Sequence, residues 1–282
     1  MIDLGKEYYI WLKKEKKDRQ IFVYPLPQHL TKNQFYFKPK QTILSIDSLI
    51  NASQSYDENI APFINNMFCP ECLQAQLTFY HETSKHKAYL KRIPSSSHAP
   101  NCSYNYKYAS NSSIKKYITS LSSNQVEDKL NSILHLLTRK NITSNTSTNY
   151  SKTNSNNHKN PLLVYDINNS VSGALPQKKV NSYLDPNIIG NDIYLFYGEN
   201  IKIKQNIIDK NNKKFYLLEF KAKNKNQEWT SRFKIFRNTI RDIIDENAEY
   251  YIATIGTLNL NYSKLQISPL LPNALKIKLM PK

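Results

Sequence analysis

The sequence predicts an α+β protein in two parts: a small β-rich N-terminal domain followed by helices (residues 1–140), then a C-terminal β-barrel domain (residues 161–282). Three observations predict it. All three cysteines of the 282-residue chain fall between Phe68 and Cys102. An apolar stripe at helical spacing runs from Val126 to Leu137. After a polar tract, five strand-like segments follow one another to the C-terminus.

The cysteine segment reads FCPECLQAQLTFYHETSKHKAYLKRIPSSSHAPNC. Cys69 and Cys72 form a C-x-x-C knuckle, which turns two thiolates toward one ion, and His98-Ala-Pro-Asn-Cys102 brings a nitrogen and a third sulfur. Three sulfurs and one nitrogen suit a tetrahedral Zn²⁺ site. His98 has the better spacing for the fourth ligand, with His81 and His86 as alternatives. Four protein ligands close the shell, so the ion is expected to be structural, and its binding is folding energy for a loop-rich module. No βαβ pattern surrounds the knuckle to suggest a thiol redox motif, and the His-x-Glu of zinc deaminases is missing.

FCPEC, an intervening hydrophobic strand pair and the later H-x-x-x-C resemble the zinc-ribbon-type module at the front of competence-protein (CoiA)-like and mobile-element proteins. The resemblance spans only the 68–102 segment. It implies a metal-bound, DNA-associated module and no activity, because in the nuclease members of that group a separate domain carries catalysis.

The chain carries a formal charge of +17, a pI near 9.5, 40% hydrophobic residues and a mean hydropathy of −0.60. Such an excess argues for an anionic partner, with nucleic acid ahead of a membrane surface, and the zinc-ribbon resemblance puts DNA ahead of RNA. Phe68–Ile118 is the region densest in positive charge. No N-terminal apolar run resembles a signal peptide and no segment approaches a membrane span, so a cytoplasmic protein with reduced thiols is expected.

Along the first part, Tyr8–Leu12, Ile21–Tyr24, Phe35–Phe37 and Ile43–Ile46 read as short strands, with KKEKKDR as a solvated hairpin tip. Ser48–Ser53 reads as a helical turn. Ala75–Tyr80 and Lys87–Ile93 read as a hairpin, and Lys87, Lys91 and Arg92 interleaved with Tyr89 suit contact with nucleic acid. Tyr104, Tyr106 and Tyr108 are expected to continue one extended edge. Asn111–Ser113 then caps a helix near Ile114, and Asn124 caps a second over Gln125–Arg139. Residues 141–160 are a polar low-complexity tract, read as a flexible linker.

In the C-terminal part the strands are Ile193–Ile203, Lys214–Ala222, Arg232–Phe236, Tyr250–Leu260 and Leu265–Lys278, with a helix over Asn238–Glu246. Gly198 and Gly256 mark expected bulges. Five strands with a helix between the third and fourth resemble the OB fold, which implies an oligonucleotide-binding surface on the second and third strands. Candidate phosphate contacts are Lys202, Lys204, Lys221, Lys223, Arg232, Lys234 and Arg237, and candidate stacking residues are Tyr216, Trp229 and Phe233. The expected function is thus a non-enzymatic, zinc-containing nucleic-acid-binding protein, of a single-stranded-DNA or DNA-processing accessory type. Two alternatives stay open. Glu219-Phe-Lys221 resembles the E-x-K of PD-(D/E)xK nucleases, with Asp192 or Asp209 supplying a second carboxylate for Mg²⁺. The other alternative is a structural adaptor that binds protein partners.

Overall fold

The computed structural model describes residues 34–54, 60–84, 86–138, 159–181, 184, 190, 192–224, 226–261 and 264–281. The strands expected at Tyr8–Leu12 and Ile21–Tyr24, and most of the 141–160 tract, lie outside them.

Alternation of large apolar side chains builds the N-terminal sheet. β1 (Gln34–Phe37) buries Phe35 and Phe37 and pairs antiparallel with β2 (Thr42–Ser45) on one side and β3 (Met67–Phe68) on the other. The β1–β2 connection is tight because Gln41 adopts a left-handed φ of 47° after a 3-10 turn at Lys38–Lys40. Helix α1 (Asp47–Gln54) follows and adds Leu49 to the core. Next come β4 (Leu77–Tyr80) and β5 (Tyr89–Arg92), the expected hairpin, whose Leu77 and Leu90 enter the same core.

Helix α2 (Asn111–Ser120) is capped by Ser110, whose Oγ accepts from the Ser113 amide, and helix α3 (Ser123–Leu137) by Ser122. The Ser122 cap is a capping box: the Gln125 amide donates to Ser122 Oγ, and Gln125 Oε1 accepts from the Ser122 amide at 2.8 Å. Both caps therefore lie earlier than Asn111–Ser113 and Asn124, because the short serine hydroxyls reach the third amide ahead. The apolar stripe is buried at Val126, Leu130, Ile133 and Leu134, with Leu136 buried and Leu137 half-buried at its end. It packs with α2 on Leu162, Val164, Leu175, Ile193, Leu195, Ala253 and Ile255, so both helices share one core with C-terminal strands. Tyr104, Tyr106 and Tyr108 do not form one edge: Ser103–Asn105 is a 3-10 turn, and Tyr108 makes a lone bridge to Ala174.

The C-terminal part opens with the β6–β7 hairpin (Leu163–Tyr165, Val171–Ala174) and β8 (Gln177–Lys179), which runs parallel to β9. Five strands then close a barrel: β9 (Ile193–Lys210), β10 (Lys213–Lys223), β11 (Trp229–Asn238), β13 (Lys264–Pro269) and β12 (Tyr250–Asn261), which returns to β9. The β11–β13 contact is parallel and the others antiparallel. The interior holds Phe196, Ile203, Leu218, Phe220, Phe233, Ile235, Ile252, Leu258 and Ile267. Phe220 and Phe233 stack there with ring centroids 4.6 Å apart.

Three expectations fail in this part. Residues 239–249 contain no helix. Side chains take two of their backbone donors: the Asp242 amide donates to Gln205 Oε1 and the Asp245 amide to the Tyr250 hydroxyl. Ile243 is fully exposed, so Ile240, Ile243 and Ile244 form no single apolar face. The fifth segment also divides, because residues 270–274 leave the sheet and β14 (Leu275–Leu279) then pairs with the first half of β12. Gly198 does sit at a bulge, since Gly198–Ile201 opposes only Ile252–Tyr250. Gly256 does not: its register is continuous, and glycine is needed because a Cβ would stand 2.2 Å from the Ser268 carbonyl oxygen.

Candidate metal centre and basic barrel face

Two local turns and one hairpin assemble the cysteine cluster. In the first turn the Leu73 amide donates to the Cys69 carbonyl at 2.9 Å, and Leu73 takes a left-handed φ of 59°. The Cys69 amide returns to the Ala75 carbonyl at 2.7 Å, which folds the knuckle back on itself. The β4–β5 hairpin then carries the chain out and back. Arg92 stands at its end, and its guanidinium donates to the carbonyls of Ile93, Pro94 and Ser96, shaping the loop that delivers His98. The Gln76 amide closes the loop through Ser96 Oγ at 2.7 Å. The second turn forms as the Cys102 amide donates to the Ala99 carbonyl at 2.9 Å.

The four donor atoms of Cys69, Cys72, His98 and Cys102 lie within 4.8 Å of one another. Cys69 Sγ and Cys102 Sγ are 3.8 Å apart, and His98 Nδ1 is 3.5 Å from Cys72 Sγ and from Cys102 Sγ. A tetrahedron with metal–sulfur bonds of ~2.3 Å and a metal–nitrogen bond of ~2.0–2.1 Å has edges of ~3.8 Å between sulfurs and ~3.6 Å from nitrogen to sulfur. These three separations match such edges, and the group could hold a metal ion. His81 and His86 are not in it; they lie exposed, edge-on to Phe79 and Tyr89.

As free thiols the set is electrostatically frustrated. The sulfurs of Cys102 and Cys69 pull the Cys72 thiol far down, while contact with Cys69 and Cys72, then burial, pushes the Cys102 thiol far up. A divalent cation held by the three sulfurs would favour all of them as thiolates.

Glu71, between the first two cysteines, carries no ligand atom but ties the turns together. Its carboxylate accepts from the Ser103 amide at 2.6 Å, from Ser103 Oγ, and from Asn160 Nδ2 at 2.6 Å. Asn160 also donates to the Asn101 carbonyl, and its Oδ1 accepts from the Leu162 amide. Glu71 thus locks both halves of the cluster to the start of β6. Sequence reasoning missed it, because a glutamate inside C-P-E-C gives no sign of which way it points. On the other side, the His98 ring stacks on half-buried Tyr104 with centroids 5.7 Å apart. Burial raises the Tyr104 hydroxyl well above the ordinary phenol range.

Strand alternation sorts the candidate nucleic-acid residues. On β10 Tyr216, Leu218, Phe220 and Ala222 point into the barrel, so Glu219, Lys221 and Lys223 point out. The register sets Lys202 beside Lys221, Lys204 beside Glu219, Glu219 beside Lys234, and Lys223 beside Trp229. Trp229 lies half-buried under two ammonium groups, Lys202 Nζ at 5.1 Å and Lys223 Nζ at 5.4 Å from its ring. Arg232 is the extra residue of a bulge, since Phe220 opposes Phe233 while Lys221 opposes Ser231. Its Nη2 donates to the Lys223 carbonyl, which points it along the same face.

Three candidates are not on that face. Tyr216 and Phe233 are barrel core, 9% and 1% exposed, which leaves no ring surface for a base. Arg237 is also buried, forming a two-point ion pair with Asp242 at 2.7 and 3.1 Å and donating to the Pro272 carbonyl at 2.7 Å. In the N-terminal part Lys87 and Lys91 are exposed on the hairpin, Lys91 Nζ lying 5.9 Å from the Tyr80 ring, whereas Arg92 is engaged with the loop carbonyls. The E-x-K pair does not meet a second carboxylate in the sheet: Glu219 has Lys204 and Lys234 as cross-strand neighbours, Asp209 opposes Lys214, and Asp192 accepts from Asn111.

The fold and site thus define a mixed α/β chain with a closed five-strand barrel and a Cys₃His cluster able to hold a metal. Comparison with protein-family models, curated proteins and solved structures found no match to the chain.

Proposed function

We propose that the protein is a non-enzymatic, zinc-stabilised binder of single-stranded DNA, acting as an accessory in DNA processing of the mobile-element or phage type. The observation that carries this reading is the outer face of β9–β11, where Lys202 and Lys223 lie over the Trp229 ring and Lys221, Lys204 and Lys234 continue along the same face. Lysines along a strand register follow phosphates, and an indole between them offers a face to any base. The strand order 9-10-11-13-12, closing on 9 with the β11–β13 contact parallel, supports an OB-type barrel, although residues 239–249 supply no helix. Zn²⁺ is the ion that the three-sulfur, one-nitrogen donor set favours, and four protein ligands leave no open position for substrate, so its role is structural. The site would hold the ion through Cys69, Cys72, His98 and Cys102. The protein is placed in the cytoplasm, where thiols stay reduced.

The test is binding of 30-mer oligo(dT), duplex DNA and oligo(rU) to the full chain across a salt series. Oligo(dT) is expected to bind tightest, with log K falling by about 0.7 per log unit of salt for each phosphate contacted. Lys221→Ala is expected to shallow that slope. No measurable affinity for any polynucleotide at low salt would refute the reading and favour an adaptor that binds protein.

A further inference from the structure

The outer face of the barrel continues beyond the lysines into an aromatic patch. Phe215 on β10 opposes Ile208 on β9, and Leu217 on β10 opposes Phe236 on β11. The Phe215 and Phe236 rings stack with centroids 6.1 Å apart and planes 23° apart. Phe236 is 45% exposed and Ile208 43% exposed, whereas Tyr216, Leu218 and Ile235 between them face inward and are buried. With Phe215 half-buried beneath it, the exposed Phe236 ring offers a flat apolar face where another ring can dock.

The position of the patch selects the occupant. Along β10 the outward residues run from Phe215 and Leu217 through Glu219 and Lys221 to Lys223, with Trp229 opposite the last. The same strands therefore present an aromatic platform at each end and cations between, where Glu219 is flanked by Lys204 and Lys234. A ligand with alternating flat apolar groups and anions matches that order, and a single polynucleotide strand has it.

The spacing fixes how much strand fits. Leu217 and Lys223, which face Phe236 and Trp229, are six residues apart on β10, or ~20 Å at ~3.3 Å per residue. An extended strand advancing about twice the ~3.4 Å duplex rise per nucleotide crosses that gap in about three steps. We propose that Phe215 and Phe236 form a second base-stacking platform. It and Trp229 hold the two outer bases of a footprint of about four nucleotides, with the lysines on the phosphates between. The inference rests on the single-strand-binding reading above and adds the platform, its partner and the footprint length.

Fluorescence anisotropy with the full chain tests it, using 5′-labelled dT₂, dT₃, dT₄, dT₆ and dT₈, and dT₄ with abasic sites at its two inner or two outer positions. Affinity is expected to climb steeply to dT₄ and only by site counting beyond it. Outer abasic sites are expected to weaken binding about tenfold each and inner ones far less. Phe236→Ala, at an exposed position, is expected to weaken dT₄ about tenfold, leave dT₂ nearly unchanged and keep the salt slope. A thermal melt of the variant matching the parent verifies that the barrel is intact, and Phe236→Tyr is expected to restore dT₄ binding. Equal effects of inner and outer abasic sites, or Phe236→Ala binding dT₄ like the parent, would overturn the platform while leaving single-strand binding standing. Tighter binding of rU₄ than dT₄ would overturn the assignment to DNA. Failure of dT₃₀ to bind at low salt, or its displacement by poly-glutamate at equal charge, would overturn the underlying reading as well.

Discussion

Replacing Lys129 with methionine is expected to stabilise the protein at neutral pH and to flatten its pH dependence. Lys129 lies mid-helix in α3, 8% exposed among the buried stripe. Its Nζ donates to the Leu163 carbonyl at 3.0 Å and lies 4.8 Å from the Tyr117 ring, which packs beside Tyr165. Burial of the ammonium pulls this lysine from an ordinary 10.5 down to about 7. Below about pH 7 both folded and unfolded chains carry the proton; above about 10.5 neither does. Between the two, the unfolded chain binds a proton that the folded chain has lost, so unfolding free energy rises with pH. The full difference is on the order of 5 kcal/mol. The window of measurement closes near pH 9.5. Burial raises Tyr117 and Tyr197 to about 12, and these protonated phenols make stability fall again above about pH 10. Methionine keeps the apolar stem and removes the charge, leaving the Leu163 carbonyl short of one donor at a cost of about 1 kcal/mol. Urea denaturation at half-unit steps from pH 7 to 9.5 is expected to give Lys129→Met an advantage of a few kcal/mol at pH 7 that shrinks steadily toward pH 9.5. Parallel stability curves for the two proteins would refute the buried-ammonium argument.

Other substitutions probe the rest of the molecule. Arg237→Ala is expected to destabilise the barrel by about 3–5 kcal/mol in urea denaturation, because it strands the Asp242 carboxylate and frees the Pro272 carbonyl. Gly256→Ala is expected to cost about 1–3 kcal/mol or to prevent closure, since its Cβ meets the Ser268 carbonyl oxygen; a thermal melt reads it. Metal analysis of the purified protein is expected to give one zinc per chain, with Cys72→Ser losing it and melting at a lower temperature. Glu71→Gln is expected to retain the metal but melt earlier, since the amide cannot accept from Ser103 and Asn160 as the carboxylate does.

What the residues disclosed depended on how local the signal was. Chain spacing pointed to the cluster, because a C-x-x-C knuckle and an H-x-x-x-C turn each place donors without help from distant residues, and the structure then chose His98 over His81 and His86. Glu71 escaped notice since its partners, Ser103 and Asn160, are far along the chain. Barrel strands were legible from β-branched and aromatic runs, but alternation gives two faces without saying which is inside. Tyr216 and Phe233 therefore read as ligand contacts although they fill the interior, and Phe215, on the outer face, was passed over. Ile240, Ile243 and Ile244 have helical spacing, yet Gln205 and Tyr250 occupy two of that segment's backbone donors. The break within the last strand follows Pro269 and contains Pro272, a local signal that a continuous apolar run concealed.

The account turns on a base meeting the indole of Trp229. In a Trp11→Phe variant, Trp229 is the remaining tryptophan of the two in the chain, and its fluorescence can be followed during titration with oligo(dT). Saturable quenching that tracks the anisotropy isotherm and fades with added salt is the predicted result. Oligo(dT) binding with no change in Trp229 emission would contradict the account.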